Sequence, residues 1–248
     1  DFNNINPQLT KFQIDSVIAL YSSGQIKEAI NEVKSLNNEF PNVPILFNIL
    51  GACYKELGQQ KNALQMFKTA FTIKPDYAEA HFNYAVILRS IGQTEDSIES
   101  YKIAIKILPN YPNAYNNLGN AYKEIGIISL AIENFEWAVA YSPEFTEAFN
   151  NLGIAYSLSN KPELAIQNFE KAYLAEKTSS IGLDGLKNYV NLAVDLYKIP
   201  KSEINIDKIL RYFHEAKAHW GYDKNLMLAI KRFYWSLNEV DNVQSVLS

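Results

Sequence analysis

Apolar residues recur along this chain in pairs of helical stripes, and the pairs repeat every 34 residues. Phe47, Leu50, Gly51 and Tyr54 stand at intervals of 3, 1 and 3, on one face of a helix. Ala63, Phe67 and Ala70 follow at intervals of 4 and 3, on a face of a second helix. Five series keep this phase: Leu50, Tyr84, Leu118 and Leu152; Leu20, Tyr54, Leu88, Tyr122 and Tyr156; Ala29, Ala63, Ser97, Ala131 and Ala165; Val33, Phe67, Tyr101, Phe135 and Phe169; Leu36, Ala70, Ala104, Ala138 and Ala172. The punctuation has the same period. Gly24, Gly58, Gly92 and Gly126 end the first helix of each pair, and Asn160 continues them, Asn being the other residue that tolerates left-handed backbone. Pro41, Pro75, Pro109 and Pro143 end the second helix. Small residues such as Gly51 and Ala63 let paired helices approach, and aromatics fill the gaps between them.

Phe47, Leu50-Gly51, Tyr54, Ala63, Phe67, Ala70 and Pro75 together resemble the tetratricopeptide repeat, as do Tyr115, Leu118-Gly119, Tyr122, Ala131, Phe135, Ala138 and Pro143. The resemblance implies an all-α fold, an α-solenoid in which antiparallel helix pairs stack into a right-handed superhelix. The first helices would line its concave face.

Residues 1–9 read as a lead-in, followed by five in-phase units at 10–43, 44–77, 78–111, 112–145 and 146–179. The first unit departs at its front, where Gln13 and Ser16 replace the aromatic and Leu, as terminal repeats often do. Residues 180–248 read as two divergent units, the last incomplete, or as a helical cap. Tyr189-Val190-Asn191-Leu192-Ala193 aligns with Tyr115 to Gly119 after a slip of 6 residues, which a Thr178-to-Gly185 loop is expected to absorb. Phe213 and Ala216 align with Phe67 and Ala70 after a further insertion near Pro200 to Glu203. A final unit begins near Lys224, with Trp235 to Asn238 resembling Tyr21 to Gly24 and with Val243 and Leu247 on second-helix positions.

The composition of the 248 residues, 48% hydrophobic and 20% charged, excludes wholesale disorder. No apolar run is long enough for a membrane span, and Asp1-Phe2-Asn3-Asn4 lacks a signal peptide's basic and apolar regions, so neither is expected. A net charge of −4 argues against nucleic acid, which needs concentrated positive charge. The single cysteine, Cys53, excludes an internal disulfide and fits a reducing cytoplasm.

Numbering each unit from its start, positions 4, 7, 8 and 11 are core, and positions 2, 5, 6, 9, 12 and 13 face the groove. Position 6 gives Asn83, Asn117 and Asn151, with Asn191 in the shifted sixth unit. A row of amides holds a peptide backbone without reading its sequence. It is similar to the asparagine ladder of O-linked N-acetylglucosamine transferases, although Asp15 and Ile49 break it in the early units. The competing reading is that these amides bond their neighbours. Position 12 gives Lys55, Arg89 and Lys123, a line of positive charge able to steer an acidic peptide, or simply cations suited to helix C-termini. Asn48, Asn116, Asn120 and Asn150 complete the polar candidates. Position 5 carries no Lys, so the carboxylate clamp of chaperone-binding family members is not matched.

Catalytic motifs are missing from the sequence: no phosphate loop, Gly-x-Ser-x-Gly, His-Glu-x-x-His or dinucleotide fingerprint. His81 reads as a packed core residue and Cys53 as an inert buried thiol. His214 and His219 stand five apart, a poor spacing for a shared metal, and Glu95, Asp96 and Glu99 suit a helix N-terminus. Phe233-Tyr234-Trp235 reads as terminal core. The expectation is a non-catalytic module with no cofactor or metal, binding a protein or peptide in the groove. The alternative is the recruiting arm of a glycosyltransferase, sulfotransferase or 2-oxoglutarate oxygenase, suggested by the arrival of Ser248 within an expected helix. A third reading is a homo-oligomer joined through terminal repeats.

Overall fold

The computed structural model describes residues 9–177, 179–197, 206–220 and 224–236. Among these the regular structure is thirteen α-helices with no strand, an all-α solenoid of consecutive packed pairs. No helix among the described residues is long and apolar enough to cross a membrane. The chain forms two compact units, residues 1–125 and 126–248.

The first unit holds α1 (Lys11–Ser22), α2 (Ile26–Glu39), α3 (Pro44–Glu56), α4 (Gln60–Ile73), α5 (Ala78–Ser90), α6 (Thr94–Ile107) and α7 (Pro112–Glu124). Each helix packs on the next, and the odd helices also meet one another: α1 with α3, α3 with α5, α5 with α7. The odd helices are called A helices below and the even ones B helices. Gly24, Gly58 and Gly92 turn the chain between A and B at φ of 78°, 69° and 82°, where a side chain is strained. The core between the layers contains Val33, Phe67 and Tyr101, each fully buried. Gly51 shows why the pattern pairs Gly with Phe: a Cβ there would come within 2.6 Å of the Phe67 ring.

The second unit holds α8 (Ile128–Tyr141), α9 (Thr146–Leu158), α10 (Pro162–Ala175), α11 (Ser180–Tyr197), α12 (Ile206–Trp220) and α13 (Lys224–Ser236). The Gly–Phe contact recurs, a Cβ on Gly153 lying 2.5 Å from Phe169. Asn160 takes φ 58°, as its place in the glycine series predicts. α11 packs on α9, α10, α12 and α13, and Phe213 meets Phe233 edge-on at 5.7 Å.

Two expectations need correction. The slip of 6 residues is not absorbed by a loop reaching Gly185, because α11 is already helical from Ser180. The extra residues lengthen the helix instead. Gly185 is a close-packing residue there: a Cβ would meet Ala172 Cβ at 2.9 Å and the Phe169 carbonyl at 3.0 Å. The terminal aromatic cluster is also divided, since Phe233 is fully buried while Trp235 is 61% exposed. Thr178, the insertion near Pro200 to Glu203, Asn238, Val243 and Leu247 lie outside the described residues, as do the side chains of Tyr197, Ala216, His219 and Tyr234.

Candidate protein-binding site

In the first unit the A helices are stitched by side chains one residue beyond the repeat period. The Tyr21 hydroxyl donates to Glu56 at 3.3 Å, Asn83 Nδ2 to Asn48 Oδ1 at 3.1 Å, and Arg89 Nε to Glu124 at 2.9 Å. Each pair is 35 residues apart. The same offset at position 5 and at position 12 places successive A helices in parallel register.

These ties hold most of the amides and cations picked out by periodicity. Asn48, 4% exposed, also donates from Nδ2 to Glu79 at 3.0 Å, so it is a buried junction of three residues. Asn117 accepts from Arg89 Nη1 at 3.0 Å and donates to the Asn113 carbonyl at 3.0 Å. Arg89 therefore joins Asn117 to Glu124. Lys55 stands 3.4 Å from Glu56. Asn116 and Asn120 are buried, Lys123 is half-buried, and Asn83 is half-buried beside Asn48. Tyr77 and Tyr101 flank this layer. Burial pushes the Tyr77 hydroxyl up to about 12, with Glu79 adding to the shift. Burial likewise raises Tyr101 to about 12, against the opposing pull of Arg89.

The second unit distributes its polar contacts differently. Asn188 Nδ2 donates to Asn150 Oδ1 at 3.0 Å, joining α11 to α9. The carboxylates that tyrosines and lysines reach lie on α8, α10 and α12. Tyr156 donates to Glu136, and Tyr212 donates to Glu170, which also pairs with Lys208. Tyr173 and Lys177 both reach Glu215, at 3.3 and 2.7 Å. Asn151 is buried and Asn191 half-buried, the latter lining a cleft of about 260 Å³ with Asn188, Ser157 and four apolar residues.

The sequence reading omitted Glu56, Glu79 and Glu124, the carboxylates that complete the first unit's ties. The signal was available, since Tyr21 to Glu56 and Arg89 to Glu124 share the spacing of 35.

Tetratricopeptide-repeat family profiles match residues 46–77, 85–126 and 116–181. The chain belongs to the tetratricopeptide-repeat family. No curated protein matches its sequence. Similar solved structures include MamA, 24% identical over 69% of this chain and 97% of that one, with a TM-score of 0.60. PilW, a type IV pilus biogenesis factor, is 19% identical over 92% of this chain and 99% of its own, with a TM-score of 0.72. YrrB, described as a TPR protein with an unusual peptide-binding site, is 18% identical over 73% of this chain and 92% of its own, with a TM-score of 0.57. At these identities the likeness speaks to fold.

As a tetratricopeptide-repeat protein the chain is a protein-interaction module. His81 and Cys53 are both accounted for by packing. His81 stacks on Phe71 at 4.3 Å and its Nε2 lies 3.0 Å from the Pro75 carbonyl. Cys53 is fully buried, and burial pushes its thiol up to about 11, which keeps it protonated and unreactive. Among the described residues no group of His, Cys, Asp and Glu is arranged to hold a metal.

Proposed function

We propose that this protein holds an extended segment of a partner protein against its A helices, without catalysing a reaction on it. The observation that carries this reading is a row of amides already held in place by their neighbours. Asn83 is pinned through Asn48, and Asn117 through Arg89 and Asn113. A primary amide has two donors and two acceptor lone pairs, so each retains capacity for a ligand. An extended peptide offers one donor and one acceptor per residue, and a side chain fixed beforehand loses little freedom on binding it. Asn120, and in the second unit Asn150, Asn151 and Asn191, take the same role in this reading, while the buried Asn48 and Asn116 support the others.

Lys55, Arg89 and Lys123 supply charge on the same face. Because Lys55 and Arg89 stand beside Glu56 and Glu124, the face offers paired charges. Pairing favours selection by register over capture of any acidic chain. YrrB, whose described peptide-binding site belongs to the same repeat family, adds support. The recruiting arm of a larger enzyme would use this face in the same way.

The test is binding to a peptide array by wild type and by the Asn83→Ala plus Asn117→Ala variant. The expected result is a loss of about tenfold or more in affinity, about 1.4 kcal/mol, with helix content unchanged. Unchanged affinity for every captured peptide rejects the amide face.

A further inference from the structure

The cleft of about 260 Å³ in the second unit lies among α9, α10 and α11. Phe169 and the half-buried Ile154 and Leu192 line it together with Leu158, and Ser157, Asn188 and Asn191 supply its polar atoms. None of these residues is charged. Leu158 occupies the position held by Glu56 and Glu124 in the first unit, and Ser157 that of Lys55, Arg89 and Lys123. Where Glu56 and Glu124 form ion pairs in the first unit, the second has a leucine that is 60% exposed. We infer that the cleft takes one aliphatic or aromatic side chain of a bound partner segment, while Asn188 and Asn191 hold the peptide groups beside it.

The inference deepens the A-helix reading and rests on it. Within the second unit the cleft adjoins the amides of that reading, because Asn191 lines it and Asn188, also in its lining, is tied to Asn150. The volume falls below the roughly 300–1,000 Å³ typical of clefts that take whole small ligands, which suits a single side chain. A charged side chain would lose its hydration with no opposite charge in the lining to offset it. Asn188 and Asn191 are three apart on α11 and so share a face. Two amides beside an apolar hollow match a main chain that inserts one apolar side chain.

Short random peptides selected on the full chain provide the probe, with affinities measured by fluorescence anisotropy for wild type and Leu158→Glu. Glutamate already stands at this position in two repeats of the first unit, so the variant keeps its fold, checked by circular dichroism. The selected peptides should share one Leu, Ile, Met or Phe. Replacing that residue by Ala should weaken binding to wild type about tenfold and to Leu158→Glu by less than about twofold, since the variant has already lost the contact. Selected peptides without a common apolar residue, or an equal Ala effect on both proteins, overturn the cleft assignment. The amide face survives that outcome if Asn83→Ala plus Asn117→Ala still weakens the peptides. Selection of no peptide rejects both readings. Self-association of wild type that Leu158→Glu abolishes would give the cleft to a second copy and overturn the inference.

Discussion

The two units share a helix-pair repeat and a Gly–Phe core contact, yet they weight their polar ties toward different helices. In the first unit the ties run along the A helices, from Tyr21 to Glu56, Asn48 to Asn83 and Arg89 to Glu124. In the second, Tyr212 and Lys208 meet Glu170, and Tyr173 and Lys177 meet Glu215, so α10 and α12 hold two such clusters, with Tyr156 to Glu136 joining α9 to α8. The A layer there carries the amide-to-amide bond from Asn188 to Asn150 and an uncharged cleft. The difference teaches that a repeat fixes its apolar positions and leaves the polar ones open to reassignment. Core residues answer to neighbours in every unit, whereas surface residues answer to whatever each unit binds.

The comparison breaks first if the cores are not equivalent. Phe67 is fully buried and Phe169 nearly so, each against a helical glycine. Phe67→Ala and Phe169→Ala should each cost about 3–5 kcal/mol in urea unfolding. A much smaller cost at Phe169 would mean that the second unit packs on different residues.

The polar layers should separate next. Asn48→Ala removes a buried junction and strands its partners, so it should cost about 1–3 kcal/mol, whereas Asn150→Ala should cost about 0.5–1.5 kcal/mol for one bond. Equal costs by the same unfolding measurement would erase the distinction between the two A layers.

The turns give a smaller contrast. Gly92→Ala puts a Cβ at φ 82° and should lower stability by about 1 kcal/mol, while Asn160→Gly at φ 58° should change it by a few tenths. Thermal unfolding of the two variants checks this.

The smallest effect is a pH dependence at Glu215 in the second unit. The hydrogen bond from Lys177 holds the Glu215 carboxyl below its ordinary value of 4.5. A lowered carboxylate stabilises the fold above that ordinary value, and the contribution disappears as pH falls through the lowered one. Glu215 is partly exposed, so the contribution is about 0.5–1 kcal/mol. Glu215→Gln should flatten the acid limb of the stability curve below about pH 4.5, and an unchanged limb would remove the pair from the account.

Much of the fold was legible because its period is long and its punctuation strict. The αL positions of Gly24, Gly58, Gly92, Gly126 and Asn160 follow from sequence spacing alone. Gly185 misled for a physical reason: glycine marks a chain break and a close helix contact equally well, and the contact partner, α10, is invisible to local pattern. The candidate site was legible in residue type and illegible in pairing. Arg89 and Asn117 were found by periodicity, but their bond to each other spans 28 residues and depends on how α5 meets α7. Asn48 sits at a nominal groove position and is nonetheless buried, because Asn83 and Glu79 close over it from the next helix. Leu158 and Ser157 drew no notice because they are departures from a series, and a series draws attention to what it repeats.

Hydrogen exchange of the chain with and without a selected peptide tests the central claim most directly. The account predicts slower amide exchange on the A helices, α3, α5 and α7 in the first unit and α9 and α11 in the second, with α4, α6 and α10 unchanged. Protection confined to α4, α6 and α10 would contradict it and move the binding surface to the other layer.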